Sequence, residues 1–325
     1  MWAVSTISNR PMATFPQSLS KKTALVIGFG SIGRRHAGVL RSMGLKVGVF
    51  SRREIDHRPR YHELQNALDD LEPSYVVVAN ETGAHRRTLA GLKEAGFRGW
   101  VLAEKPLFDE PSSFNHHPFK GLFVAYNLRF HPVIRELKRR ISKERVLSAH
   151  IYAGKYLPAW REGSDYRKSY SAKAADGGGV LRDLSHELDY CNWIFGPWES
   201  LLAWGAHVSE LEIETADVFC LLMRMKKCPI ASLQINYLDR VGRREIVVNT
   251  DAHSYRADLV HHILEKDGQK RRFPVSNNDT YRREHEAVFK NDTKTLCTLE
   301  EGKSVLEMIH ACERSLKEKR WVRRS

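Results

Sequence analysis

The chain has 325 residues, 42% of them hydrophobic, and a formal net charge of +13 at pH 7. That length supports two domains with cores of their own, and no apolar stretch approaches the roughly 20 residues of a membrane span. The excess of Lys and Arg is spread in pairs from Arg34-Arg35 to Arg323-Arg324 with no recognition helix or RNA-binding sheet, so neither nucleic acid nor a membrane is expected as a partner.

The first segment, residues 1–22, mixes Ser, Pro, Asn and Arg without the apolar core of a signal peptide. It reads as a disordered lead-in, or as an upstream start with Met12 as the true initiator. Thr23 to Gly28 is a short β-branched run that enters Gly28-x-Gly30-x-x-Gly33, and Ser31 to Met43 has helical composition. Gly28 permits a tight turn, Gly30 leaves room for backbone to meet a pyrophosphate, and Gly33 lets the helix pack closely on the sheet. The helix N-terminus, with the backbone N–H groups of Ser31, Ile32 and Gly33, then faces the phosphates. A second strand, Lys46 to Ser51, follows at βαβ spacing. Where an NAD site usually carries a carboxylate for the ribose 2′-OH, this chain has Ser51, Arg52 and Arg53, a set that favours a 2′-phosphate. NADP is therefore the preferred cofactor, with NAD as the alternative.

Further strands are expected at Tyr75 to Asn80, Gly99 to Lys105 and Leu122 to Asn127, with a helix over Gly83 to Gly96. This alternation predicts a doubly wound parallel sheet over residues 23–127. From residue 128 the pattern changes to an α+β domain that runs to 325. It opens on a helix, Pro132 to Ile141, and continues with longer alternating strands at Val146 to Tyr152, Val218 to Met225, Ile230 to Tyr237 and Glu245 to Asn249. These read as an open, largely antiparallel sheet, and a helix over Lys303 to Glu318 closes the fold. The five cysteines, Cys191, Cys220, Cys228, Cys297 and Cys312, are odd in number and lack a Cys-x-x-Cys pair. They imply reduced thiols in a cytoplasm, with no disulfide frame and no metal site.

Two segments carry chemistry. Glu104-Lys105-Pro106 closes a parallel strand, and ligands of such sheets bind beyond the strands' carboxyl ends, so Lys105 can reach the crevice where a nicotinamide would lie. Gly177-Gly178-Gly179 opens a helix running to Gly196, with Leu184, Leu188, Cys191 and Phe195 as its buried stripe. On that helix Asp183, His186 and Tyr190 share a face. A carboxylate, an imidazole and a phenol together suit oxidation of an alcohol, with His186 taking the hydroxyl proton and a neighbouring carboxylate tuning it.

These residues resemble the Gfo/Idh/MocA oxidoreductases, which act mostly on sugars and cyclitols. The markers are the glycine motif with Arg34-Arg35-His36, then Asn80, Thr82 and His85, then Glu104-Lys105-Pro106. Tyr126 to Pro132 and the Gly177–Tyr190 helix complete them. The resemblance implies NAD(P)-dependent hydride transfer on a sugar or sugar-nucleotide hydroxyl, with cofactor contacts from Asn80, Thr82, His85, Glu104 and Lys105. It also implies catalytic roles for Lys105 and His186, with Asp183 beside them, and a homodimer or homotetramer assembled through the open sheet. Many members place the Asp four residues before the His; here the spacing is three, which changes the carboxylate's direction. The segment from Asp165 to Tyr170 is similar to a branch met in bacterial surface-polysaccharide and nonulosonic-sugar pathways. Arg129, Trp160, Arg161, Tyr166, Arg167, Tyr170 and Tyr190 are the residues expected on the substrate side, where guanidiniums and aromatic faces suit sugars and anions. A cofactor-binding sensor without catalysis is the alternative.

Overall fold

A computed structural model describes residues 22–110, 114–160, 163–175 and 177–324. The expected lead-in thus lies, but for Lys22, outside the described residues, as does Arg161. In the first sheet the strands run β15-β6-β5-β4-β1-β2-β3. They are β1 (Thr23–Ile27), β2 (Lys46–Phe50), β3 (Arg60–Tyr61), β4 (Tyr75–Val78), β5 (Trp100–Ala103), β6 (Gly121–Val124) and β15 (Cys297–Thr298). All pairings are parallel except β15 on β6, so the first six strands keep the doubly wound order and a late strand caps one edge.

Successive side chains of these strands point to opposite faces, and both faces are buried. Val26, Val77 and Leu102 join a layer completed by Ala37, Val39 and Leu40 of α1 (Ser31–Ser42) and by Ala287 and Val288 of α7 (Asp279–Lys290). Leu25, Val76 and Val101 face the other layer, with Ala67 and Leu71 of α2 (Leu64–Leu71) and Leu89 and Leu92 of α3 (His85–Glu94). Val305, Leu306 and Ile309 of α8 (Leu299–Glu318) complete it. That second layer continues without a break into the core of the other half of the molecule.

The second sheet runs β14-β13-β12-β11-β7-β10-β9-β8-β16. Its strands are β7 (Val146–Gly154), β8 (Trp198–Ala206), β9 (Val218–Met225), β10 (Cys228–Asn236), β11 (Arg243–Thr250), β12 (Ser254–Asp258), β13 (Ile263–Lys266), β14 (Gln269–Arg272) and β16 (Val322–Arg323). Every pairing is antiparallel except β7 with β10, which is parallel. Buried and exposed residues alternate along β9, so one face is packed and the other open. α5 (Val180–Asp183), α6 (Ser185–Phe195) and α8 cover the packed face. Trp204, Leu222 and Ile230 stand on the open face, 60%, 41% and 59% exposed.

The expected helix at Pro132 is α4 (Pro132–Ile141), with proline in its first turn and His131 as its cap. His131 Nδ1 accepts from Val133 N–H at 3.3 Å, and Nε2 faces His262 Nδ1 at 3.1 Å. Burial, with His262 and Arg244 adding repulsion, lowers the His131 pKa to about 4. Unfolded, the imidazole titrates near 6.5, so unfolding takes up a proton between these values and stability falls as pH drops through that window. The loss from this group reaches about 3 kcal/mol. Thermal melts from pH 7 to 4 should show this decline, and His131→Asn, which keeps a cap acceptor, should flatten part of it; an unchanged slope would refute the assignment.

Candidate active site

The glycine turn at the carboxyl end of β1 performs three separate tasks. Gly28 has φ of +92°, and a Cβ there would stand 2.6 Å from the Asn80 backbone at the end of β4. A Cβ at Gly33 would collide with the Gly28 carbonyl, so α1 can press onto the turn only with glycine at this position. Gly30 has nothing within 4 Å on its side-chain side. The open side of Gly30 and the first N–H groups of α1, at Ser31, Ile32 and Gly33, make a cradle for an anion. Beside it Asn80 donates Nδ2–H to Thr88 Oγ1 at 2.9 Å, while its buried Oδ1 has no partner. Thr82 is half-buried in a short turn next to it. An open cradle and an orphaned acceptor fit a dinucleotide.

At the end of β2, the Ser51 hydroxyl closes a local turn with the backbone N–H and carbonyl of Arg53, each at 3.2 Å. Arg52 and Arg53 project into solvent, with Arg53 Nη2 3.9 Å from the equally exposed Glu81.

Lys105 follows β5 by two residues, and its Nζ donates to the Asp183 backbone carbonyl at 2.8 Å. The expected single helix is broken at Leu184, where φ is −96° and ψ is +31°. Asp183 therefore ends α5 while His186 lies in the first turn of α6. The Asp183 carboxylate turns away from the imidazole and accepts from Tyr237 O–H at 2.6 Å, so no carboxylate tunes His186 directly. The His186 ring packs edge-on against Tyr126, centroids 5.5 Å apart, with its buried Nδ1 unpartnered. Burial first, then repulsion from Lys105 and Arg244, holds its pKa well below the ordinary value. The site thus pairs a lysine Nζ, fixed through one hydrogen bond, with an imidazole kept neutral.

Several expected ligands have structural work instead. Arg129 is 1% exposed and spends its guanidinium on Asp189, at 2.6 to 3.1 Å, Glu301 at 2.9 Å and the Leu296 carbonyl at 3.2 Å. Tyr190 is fully buried, its hydroxyl 3.4 Å from Glu187 Oε1. Both are therefore withdrawn from the substrate side. Both His85 nitrogens meet backbone carbonyls, of Leu107 at 3.0 Å and Asn80 at 3.1 Å, so it ties two loops together rather than touching a cofactor. The Glu104 carboxylate points inward, to His36 at 2.8 Å and the Lys105 N–H at 3.0 Å. Arg167 is held at an exposed turn by Asp165 and Glu212, and the Tyr166 hydroxyl accepts from the Glu212 N–H at 3.2 Å. Among the described residues, Trp160 lies edge-on to Tyr237 at 5.3 Å and Tyr170 is close enough to help raise the Tyr237 pKa.

Sequence reasoning missed Tyr237 and the buried pair of Arg244 Nε with Glu187 Oε1 at 2.8 Å. No local pattern marks either: Tyr237 follows β10 and Arg244 sits on β11, and only the sheet brings them to α5 and α6. Among the described residues no group of His, Cys, Asp and Glu could hold a metal ion.

Residues 134–256 match the sequence profile of the GFO/IDH/MocA C-terminal domain, and residues 2–91 that of the D-isomer specific 2-hydroxyacid dehydrogenase NAD binding domain. No curated protein matches the chain. Solved structures with the same fold include GenD2 from gentamicin A biosynthesis in complex with NAD, 20% identical over 94% of this chain and 96% of that one, TM-score 0.75. WlbA dehydrogenase from Bordetella pertussis, in complex with NADH and UDP-GlcNAcA, is 18% identical over 94% and 99%, TM-score 0.74. Levoglucosan dehydrogenase, in complex with NADH and levoglucosan, is 14% identical over 94% and 99%, TM-score 0.79. A dinucleotide-type first sheet and an open second sheet, with residues 134–256 matching the GFO/IDH/MocA C-terminal domain, give this chain the same two-part fold as these solved structures.

Proposed function

We propose that the protein is a nicotinamide-dependent oxidoreductase that interconverts a hydroxyl and a ketone on a sugar, sugar nucleotide or related polyol. The observation that carries this reading is the convergence of Lys105 Nζ and the neutral His186 ring beyond the carboxyl end of β5, beside the glycine cradle. A bound nicotinamide supplies the hydride exchange. With one N–H given to the Asp183 carbonyl, Lys105 retains others to hold the substrate oxygen and stabilise charge developing on it. His186 accepts the hydroxyl proton during oxidation and returns it during reduction. Tyr237 fixes the Asp183 carboxylate, and through it the carbonyl that anchors Lys105. Trp160 and Tyr170 offer aromatic faces to a sugar ring. The same fold in dehydrogenases solved with sugar ligands supports this substrate class.

NADP is the preferred cofactor on this reading, because Ser51, Arg52 and Arg53 at the end of β2 offer two exposed guanidiniums where an NAD site usually carries a carboxylate. Fluorescence titration should give NADPH binding about tenfold tighter than NADH, and Arg52→Ser with Arg53→Ser should erase the difference. A preference for NADH would remove the NADP claim; binding of neither cofactor would remove the oxidoreductase reading.

The open sheet face is the proposed contact between copies. Trp204 lies beside Cys220 and Leu202 beside Leu222 across β8 and β9, a contiguous apolar strip on a strongly basic chain. Light scattering should report a dimer or tetramer, and Trp204→Arg with Leu222→Lys a monomer; a monomeric wild-type chain would contradict the proposal. A cytoplasmic location is part of the proposal; among the described residues all five cysteines are free and no helix is long and apolar enough to cross a membrane.

A further inference from the structure

A second set of polar groups lies buried behind Lys105, on the far side from the crevice. Glu104 Oε1 stands 2.8 Å from His36 Nε2, His36 Nδ1 stands 3.0 Å from His285 Nε2, and His285 Nδ1 stands 2.8 Å from the Tyr75 hydroxyl. His36, His285 and Tyr75 are fully buried and Glu104 is 8% exposed. Four elements supply them: α1, β4, the end of β5 and α7.

The proton count selects one direction. Tyr75 has a single O–H, and the only partner shown for it is His285 Nδ1, so it must donate there or leave a buried hydrogen unsatisfied. His285 then carries its proton on Nε2 and donates to His36 Nδ1. His36 in turn carries its proton on Nε2 and donates to Glu104. In the reverse order, with a cationic His36 donating to His285, the Tyr75 hydrogen would have no acceptor. Other groups around Glu104 agree. Burial holds the His285 pKa well below its ordinary value. Burial, reinforced by the Glu104 charge, pushes the neighbouring Glu284 well above its own. Burial likewise keeps Tyr281 protonated, its pKa raised further by Glu104. Glu104 is thus the acceptor at the end of the chain, and its other oxygen holds the Lys105 backbone N–H.

We infer that His36 is a positioning residue: the one-way chain from Tyr75 through His285 and His36 to Glu104 ties the phosphate-facing helix α1 and the late helix α7 to the backbone of Lys105. α1 enters this chain three residues after Gly33, so the element that meets the cofactor phosphates also fixes the lysine at the reacting carbon. The inference rests on the assignment of Lys105 made above, but its test needs no substrate.

Two measurements on the full chain decide it. Long-range proton–nitrogen correlation spectra of ¹⁵N-histidine protein at pH 7, assigned with His36→Gln and His285→Gln, should show both imidazoles as Nε2–H tautomers; a cationic or Nδ1–H His36 would overturn the chain. Acetylation of Lys105 by limiting acetic anhydride, read by mass spectrometry, should accelerate about threefold or more in His36→Leu, as the loop opens locally more often. His36→Gln offers the same donor and acceptor order and should restore the wild-type rate. Equal rates in His36→Leu and wild type, or failure of the Gln variant to restore, would refute the positioning role. Should His36→Leu fail to fold, Glu104→Gln serves instead, because its single carbonyl oxygen cannot retain both N–H donors, and Lys105 should again label faster. Wild-type labelling in that variant would count against the inference. None of these readouts depends on turnover, so failure of the oxidoreductase reading would be seen separately, in the cofactor titration.

Discussion

Lys105→Met should lower kcat by about three orders of magnitude while leaving NADPH binding within about threefold, since a donor that stabilises charge developing on the reacting oxygen contributes roughly 10²–10³. That loss corresponds to about 4 kcal/mol of transition-state stabilisation. Methionine preserves the length and apolar stem of the side chain but removes the ammonium that reaches the Asp183 carbonyl. The substrate oxygen then meets no donor at the moment charge develops on it. KM should change little, because the lost interaction matters most in the transition state. The check is steady-state kinetics on the substrate identified from a sugar and sugar-nucleotide panel, with cofactor affinity measured separately. A variant retaining a tenth or more of wild-type kcat would show that Lys105 does not act on the reacting oxygen.

Arg129→Met is expected to be the most damaging single change to stability. Its guanidinium bridges Asp189 of α6 and Glu301 of α8, and Asp189 is 1% exposed. Removing the cation leaves a buried carboxylate unpaired, a loss of about 3–5 kcal/mol. Glu301 is also one half of the capping box that starts α8, accepting the Thr298 N–H at 3.0 Å. The melting temperature should drop by about 10 °C, given a few degrees per kcal/mol for a chain of this size. Adding Asp189→Leu should recover most of the loss, because the cost lies in the stranded charge. If the single variant melts with the wild type, the pair contributes nothing and Arg129 would again be available for a ligand role.

Where packing is local, the sequence was legible. The β1–turn–α1 unit is specified by residues in contact along the chain, and α4 begins and ends where its proline and apolar spacing place it. α7 was not foreseen, because two of its four buried residues are Glu284 and His285, so its inward face does not read as apolar. β8 was missed for a related reason: glycine and alanine near its end blur the alternation. In the site, Lys105 could be anticipated from the position of its strand end. The break at Leu184 could not, and it turned a presumed Asp183–His186 partnership into two separate hydrogen-bonding arrangements. Arg129 was misassigned because a guanidinium beside a strand end can face either the crevice or the core. Only the distant residues Asp189 and Glu301 decide which.

The antiparallel strand β15 has a consequence for synthesis. About 170 residues separate it from β6, its neighbour in the first sheet. At roughly 5–20 residues per second, a ribosome leaves that edge bare for about 10–30 s after β6 has emerged. Throughout that interval β6 presents unpaired N–H and C=O groups to any other nascent chain. A chain cut before Thr295 would keep this bare edge permanently, so the dinucleotide-binding part should aggregate when expressed without the last thirty residues.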